Sequence, residues 1–118
     1  MEWPADILED IEKLIADLKI ILFDKKMLEG EETIITTKHP KYGLIFAYEI
    51  DGLGHQNLMD DSNIPSLLSL PYLCPDYIPF NHTIYQNTRK FVLSTDNPWF
   101  FRGSVLEGMA FVFYYTFY

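Results

Sequence analysis

A dense polar cluster in the middle of the chain, residues 55–63, holds the side chains best suited to chemistry. Its members are the adjacent carboxylates Asp60 and Asp61, with His55, Gln56, Asn57, Ser62 and Asn63. Carboxylates accept hydrogen bonds from hydroxyl groups, and the amides of Asn and Gln both donate and accept them. Aromatic faces such as those of Tyr72, Trp99 and Phe100 can pack against the apolar side of a sugar ring. The residue types therefore fit a carbohydrate-binding site.

The same cluster also has a purely structural interpretation. Ser62 or Asn63 could cap a helix, while Asp60 and Asp61 complement the positive end of its dipole. On the residues alone this interpretation is favoured, because capping clusters are common and sugar sites are rare. A metal site is disfavoured, since the spacing of His55 and the two aspartates matches no zinc pattern and a calcium loop needs more oxygen ligands.

Composition excludes several classes of function. The 118 residues are 48% hydrophobic and 16% aromatic, which supplies enough apolar surface for a folded core. The net charge of -8 repels phosphate backbones and anionic lipids, so neither nucleic acid nor a membrane surface is expected as a partner. The start of the chain lacks the basic and apolar regions of a signal peptide, and no apolar run is long enough to span a bilayer. Cys74, the only cysteine, is expected to be a half-buried apolar side chain.

Two helices are predicted from periodicity. From Ala5 to Phe23, apolar residues recur every three or four positions between charged ones, which is typical of an amphipathic helix that begins after Pro4. From Ile84 to Leu93, one face can be formed by Ile84, Tyr85, Thr88, Phe91 and Val92. The charged segment from Asp24 to Glu32 has no sustained period and predicts a loop.

The middle of the chain predicts shorter elements. Residues 44–50 are rich in strand-forming side chains and lie between two turn-like segments, so one short strand or extended arm is expected there. Pro65 could open a short helix that Pro71 would end or kink. Asp96 to Pro98 are expected to end the helical segment that precedes them. No repeat or low-complexity linker divides the sequence.

Four segments of the chain resemble glycoside hydrolase family 125. Residues 59–73, MDDSNIPSLLSLPYL, are similar to the family signature MDDAN-V-PSLLSLPYL. Residues 39–43 (HPKYG) and 46–54 (FAYEIDGLG) resemble the family's HPKYG and YAYEVDGFGN. Residues 85–94 (YQNTRKFVLS) and 96–103 (DNPWFFRG) follow in the family's order. The resemblance covers about residues 5 to 108.

The resemblance implies a fold, an activity and a set of site residues. The fold implied is mainly α, a fragment of an (α/α)6 barrel with a short extended arm or hairpin. The activity is the inverting hydrolysis of terminal α-1,6-linked mannose without a metal or other cofactor, on an α-mannoside or mannan-type glycan. The residues implied to contact or support the substrate are Asp60, Asp61, Asn63, Asn97 and Trp99.

The family's two catalytic carboxylates are not expected within this chain. The acid belongs to a GFRPSDD segment that should precede it, and the base lies well beyond Gly108. The sequence also departs from the family after Gly108, where a GIGSPH type of segment would follow. Residues 1–108 are therefore expected to be a fragment of the catalytic domain that is inactive alone, and residues 109–118 a divergent apolar tail.

Two other functions stay open at this point. The first is a non-catalytic carbohydrate-binding or interaction module that uses the same aromatic and amide groups, which would have to fold on its own. The second is another (α/α)6 glycosidase, such as a relative of the glucoamylases, which would act on glucosides instead of mannosides. Whether the chain is part of an enzyme is thus not decided by the residues alone.

Overall fold

The structure is a computed structural model and describes residues 2–109. The predicted apolar tail lies outside the described residues, apart from Met109. The first helix, α1, spans Ala5–Leu22 and confirms the amphipathic helix predicted there. Asp6 in its first turn and Lys19 in its last turn complement the helix dipole. No residue of α1 is buried, so the other described residues leave its apolar face uncovered.

A short helix, α2, spans Lys25–Leu28, where the sequence predicted a loop. That prediction was wrong because Asp24 caps the segment: its carboxylate accepts a hydrogen bond of 3.0 Å from the backbone N–H of Lys26. The helix positions Met27 in the core. A helix of four residues is too short for hydrophobic periodicity to reveal.

Four short strands form two antiparallel hairpins. Strands β1 (Thr36–His39) and β2 (Gly43–Phe46) pair with each other, as do β3 (Glu49–Ile50) and β4 (Gln56–Asn57). The single strand predicted over residues 44–50 is therefore divided between two sheets. The backbone N–H of Ala47 donates to Ile35, whereas that of Tyr48 donates to Asn57, so the chain changes partners between these two residues. Gly43, with φ of 82°, closes the first turn in a left-handed conformation.

The proline-rich segment after the polar cluster folds differently from the prediction. Leu67–Ser69 form a single 3-10 turn, and α3 follows at Leu70–Leu73. Pro71 lies in the first turn of α3, where its missing N–H is tolerated, so it neither ends nor kinks the helix. Cys74 follows α3 and is exposed, which corrects the expected half-burial; α3 itself buries no residue that could shield it.

The helix α4 (Thr83–Val92) is the centre of the core. Its buried residues are the five predicted to share a face: Ile84, Tyr85, Thr88, Phe91 and Val92. This face packs on β2, and the hydroxyl of Thr88 accepts a 2.9 Å hydrogen bond from the backbone N–H of Phe46. The prediction for this helix is confirmed to within one residue at each end.

A third hairpin, which the sequence did not predict, joins β5 (Phe100–Arg102) to β6 (Glu107–Met109). Buried and exposed residues do not alternate along these two strands, so the sequence has no period-two hydrophobic pattern from which to predict them. The described part of the chain is thus partly helical with three small sheets. The (α/α)6 barrel stays an expectation from the family resemblance. Within residues 2–109, no helix combines the length and apolar character that crossing a bilayer requires.

Candidate functional site

The polar cluster forms a loop between β4 and the 3-10 turn, and Asp60 is its buried anchor. Asp60 has 0% of its surface exposed. One carboxylate oxygen accepts a 2.9 Å hydrogen bond from the backbone N–H of Ser62, and the other accepts a 3.0 Å bond from that of Leu67. Burial raises the pKa of Asp60, while these two N–H groups act in the opposite direction. The carboxylate thus ties the middle of the loop to the start of the 3-10 turn.

Asn97 ties this loop to the end of α4. Its side chain is fully buried. The amide nitrogen donates to the backbone oxygen of Asp60 at 3.0 Å and to that of Val92 at 3.1 Å. The amide oxygen accepts from the backbone N–H of Trp99 at 3.4 Å. A single side chain therefore brings together the loop, the helix and the segment that carries Trp99.

Asp61 faces the opposite way from Asp60 and reaches the surface. Its carboxylate accepts a 2.8 Å hydrogen bond from the hydroxyl of Tyr48. It also accepts bonds from the backbone N–H of Asn63 at 3.0 Å and from its side-chain amide at 2.9 Å. Ser62 between them has φ of 64°, and this left-handed turn lets the two bonds from Asn63 form.

The Tyr48–Asp61 hydrogen bond shifts the pKa values of both partners. The hydroxyl of Tyr48, followed by the backbone N–H of Asn63, lowers the pKa of Asp61 below its usual value. The same bond, together with burial, raises the pKa of Tyr48 to about 12. Both shifts favour the pair with Asp61 ionised and Tyr48 protonated, which is its state at neutral pH.

The five predicted substrate-contact residues therefore fall into two groups. Asp60 and Asn97 are buried, and the amide of Asn97 donates to the backbone oxygen of Asp60, so neither side chain has surface to offer a ligand in this structure. Asn63 is exposed, and Asp61 and Trp99 are half-buried. Contact with a sugar stays a prediction for all five, and the accessible side chains are the ones placed to make it.

Sequence reasoning did not identify Tyr48 or the two cavities beside the polar loop. Tyr48 lines a cavity of about 210 Å³ with Pro65, Ser66, Leu67 and Leu70. A larger open cavity of about 460 Å³ lies along the second hairpin and is lined by Glu49, Ile50, Asp51, His55, Gln56 and Asn57. The polar character of residues 55–57 was visible in the sequence. The pairing of β3 with β4, which brings Glu49 and Asp51 beside them, was not visible.

The polar groups of the larger cavity also support its own hairpin. The carboxylate of Asp51 accepts bonds from the backbone N–H groups of Leu53 and His55, and it contacts the His55 ring. Glu49 accepts a 2.9 Å bond from the amide of Asn57. Carboxylates held in this way are suited to accept hydrogen bonds from hydroxyl groups. Among the described residues, no three potential metal ligands cluster together.

Replacing Tyr48 by Phe tests the coupling with Asp61. In Tyr48→Phe we expect the pKa of Asp61 to rise toward 3.8, because the largest cause of its lowering is removed. A carboxylate whose folded pKa is lowered stabilises the fold above its unfolded pKa, and this contribution disappears as the pH falls through the folded value. The variant should therefore lose less stability on acidification. Titration of the Asp61 carboxyl carbon by NMR measures the pKa directly.

Tyr42→Phe provides the matched control, because Tyr42 makes an equivalent bond to a different aspartate, Asp96, at 2.6 Å. It should leave the titration of Asp61 unchanged. An Asp61 carboxyl that titrates identically in the parent chain and in Tyr48→Phe would contradict the hydrogen bond between Tyr48 and Asp61.

Comparisons with known proteins support one family. The family described as metal-independent alpha-mannosidase (GH125) matches residues 3–112. The meiotically up-regulated gene 157 protein of Schizosaccharomyces pombe is 41% identical over 91 residues, which are 76% of this chain and 18% of that protein. A metal-independent α-mannosidase of Streptococcus pneumoniae, solved in a non-productive complex with α-1,6-mannobiose, is similar with a TM-score of 0.59 and 42% identity.

The structural similarity covers 71% of this chain and 19% of the pneumococcal one. The chain therefore spans about one fifth of the length of these relatives. The family match includes all the elements from α1 to β6, and with them the loop that carries Asp60 and Asp61. The chain belongs to glycoside hydrolase family 125, the metal-independent α-mannosidases.

Proposed function

We propose that this chain supplies part of the substrate-binding wall of an exo-acting α-1,6-mannosidase, in which it completes an (α/α)6 barrel. The observation that carries the proposal is its similarity, at 42% identity, to a chain solved with α-1,6-mannobiose. The substrate would be the terminal mannose of an α-mannoside or mannan-type glycan. The net charge of -8 favours a neutral glycan over a nucleic acid or an anionic membrane.

Within this wall, the accessible side chains bind and the buried ones position. Asn63 is exposed and can both donate to and accept from sugar hydroxyls, while Asp61 accepts. Trp99 offers an aromatic face for the apolar side of the ring. Asp60 and Asn97 act through the backbone, by holding the loop that presents Asp61 and Asn63.

Neither the general acid nor the general base is assigned to this chain. Inverting glycosidases place one carboxylic acid at the leaving oxygen and a second carboxylate at a water on the opposite face of the ring, roughly 6.5–9.5 Å apart. Asp60 is buried and already engaged with two backbone N–H groups, so it is suited to neither role. The family's acid and base would come from polypeptide outside these residues.

A chimera of full family length tests the proposal. Residues 3–109 of this chain would replace the corresponding segment of the pneumococcal mannosidase, and hydrolysis of α-1,6-mannobiose would be measured. We expect the chimera to release mannose, and Asn63→Ala to raise KM roughly five- to tenfold through the loss of about one hydrogen bond. Asn81→Ala is the matched control, since Asn81 is also exposed but lies in the turn before α4.

Two outcomes would count against this function. Hydrolysis of isomaltose by the chimera in preference to mannobiose would instead favour a glucosidase function. A cooperative unfolding transition of the 118-residue chain, with mannose-dependent NMR shifts at Asn63 and Trp99 and no activity in the chimera, would instead select a non-catalytic binding module.

A further inference from the structure

The turn between β1 and β2 is joined to the segment that follows α4. The ammonium group of Lys41 lies 2.8 Å from a carboxylate oxygen of Asp96, and the hydroxyl of Tyr42 donates to the same oxygen at 2.6 Å. These partners are 55 and 54 residues apart along the chain. Lys41, followed by Tyr42, lowers the pKa of Asp96, so the carboxylate is ionised and accepts both bonds at neutral pH.

Aromatic packing fixes this turn on the surface of α4. The rings of Tyr42 and Phe91 meet edge to face, with centroids 5.7 Å apart. The ring of His39 lies against both, at 4.9 Å from Tyr42 and 5.3 Å from Phe91. The ammonium group of Lys41 lies 5.1 Å from the centre of the Tyr42 ring, within the range of a cation–π contact. Lys41 and Tyr42 therefore reach Asp96 from a fixed position.

Asp96 is the neighbour of the residue that anchors the polar loop. The chain turns sharply after α4, because the backbone N–H of Asn97 donates to the carbonyl of Ser94 at 3.0 Å. The backbone N–H of Asp96 donates to the Ser94 hydroxyl at 3.3 Å. The buried amide of Asn97 then holds the carbonyl of Asp60 at 3.0 Å. A continuous series of contacts thus connects Lys41 with the polar loop.

We propose that Lys41 and Asp96 are positioning residues for sugar binding: their ion pair fixes the turn after α4 and, through Asn97, the polar loop. The inference rests on the proposed function, and neither side chain has to contact the sugar. The pair is partly exposed, with 64% of the Lys41 side chain and 39% of the Asp96 side chain accessible. Exposed pairs shift an equilibrium by no more than about fivefold, so the effect on binding is bounded.

The family-length chimera provides the kinetic test. We expect Lys41→Ala to raise KM for α-1,6-mannobiose roughly two- to fivefold and to leave kcat unchanged, because the loop would hold the sugar equally in the ground and transition states. Lys41→Arg keeps the charge and should restore KM. Adding Lys41→Ala to Asp96→Ala should raise KM no further, since the two residues act through one contact.

Lys25→Ala is the matched control, because it removes the same charge from α2, where the side chain is also exposed. It should leave KM unchanged. A KM that is the same in the parent chimera and in Lys41→Ala would overturn the proposal. So would a rise in KM that Lys25→Ala reproduces or that Lys41→Arg fails to reverse.

Hydrogen exchange in the 118-residue chain gives a second measurement that requires no sugar. We expect the backbone amides of Ser62 and Leu67, both held by Asp60, to exchange roughly two- to fivefold faster in Asp96→Ala than in Asp76→Ala. Equal exchange in these two variants would overturn the proposal. A chimera that releases no mannose, with the exchange difference present, would count against the proposed function alone.

Discussion

Release of mannose from α-1,6-mannobiose by the 118-residue chain is expected to be at least about 10,000-fold slower than by the pneumococcal mannosidase. Acid assistance and water activation each contribute roughly 100- to 10,000-fold to such reactions, and this chain is proposed to supply neither group. The measurement is mannose released by the purified chain over days, compared with buffer alone.

The pneumococcal enzyme with one catalytic carboxylate removed is the appropriate reference, because it retains one of the two contributions. Its rate should lie between those of the intact enzyme and the 118-residue chain. Mannose release by the chain that is clearly above buffer, and that Asp61→Asn abolishes, would show that a catalytic carboxylate lies within these residues.

Asp60→Asn is expected to destabilise the loop strongly although the two side chains have nearly the same shape. The amide retains one acceptor oxygen and presents N–H groups where the second oxygen was. The backbone N–H of Ser62, which is part-buried, or that of Leu67, which is buried, therefore loses its acceptor. A buried donor left without a partner costs roughly 1–3 kcal/mol, and Asp60→Ala, which removes both acceptors, about twice that.

Guanidinium denaturation gives the change in the free energy of unfolding, and hydrogen exchange at the Ser62 and Leu67 amides locates it. Asp76→Asn is the control, since Asp76 is an exposed aspartate outside the loop. Unfolding midpoints that are identical for Asp60→Asn and Asp76→Asn would be incompatible with the anchoring role of Asp60.

Long periodic elements were predictable from the sequence, and short ones were not. Helices α1 and α4 each repeat an apolar pattern over several turns, so both were predicted to within one residue at each end. The two-residue strands β3 and β4 have no period to read, and α2 depends on one capping side chain. Their existence follows from long-range pairing and local hydrogen bonds, which a single sequence does not display.

For the candidate site, the residue types were predictable and their orientations were not. The cluster around Asp60 and Asp61 was identified from its composition. That Asp60 points inward and Asp61 outward depends on the left-handed Ser62 and on Leu67, seven residues farther along. The role of Asn97 depends on a contact 37 residues away. Tyr48 was missed because its bond to Asp61 exists only once the chain has changed sheets.

The side-chain amide of Asn97 has a consequence for how the loop moves. Because it holds the loop and the last turn of α4 simultaneously, the loop cannot move away from the helix without leaving the buried Asp60 carbonyl without this donor. We therefore expect opening of the loop to be coupled to fraying of the last turn of α4. A loop held in this way is preorganised, so binding of the proposed sugar would cost little further ordering entropy.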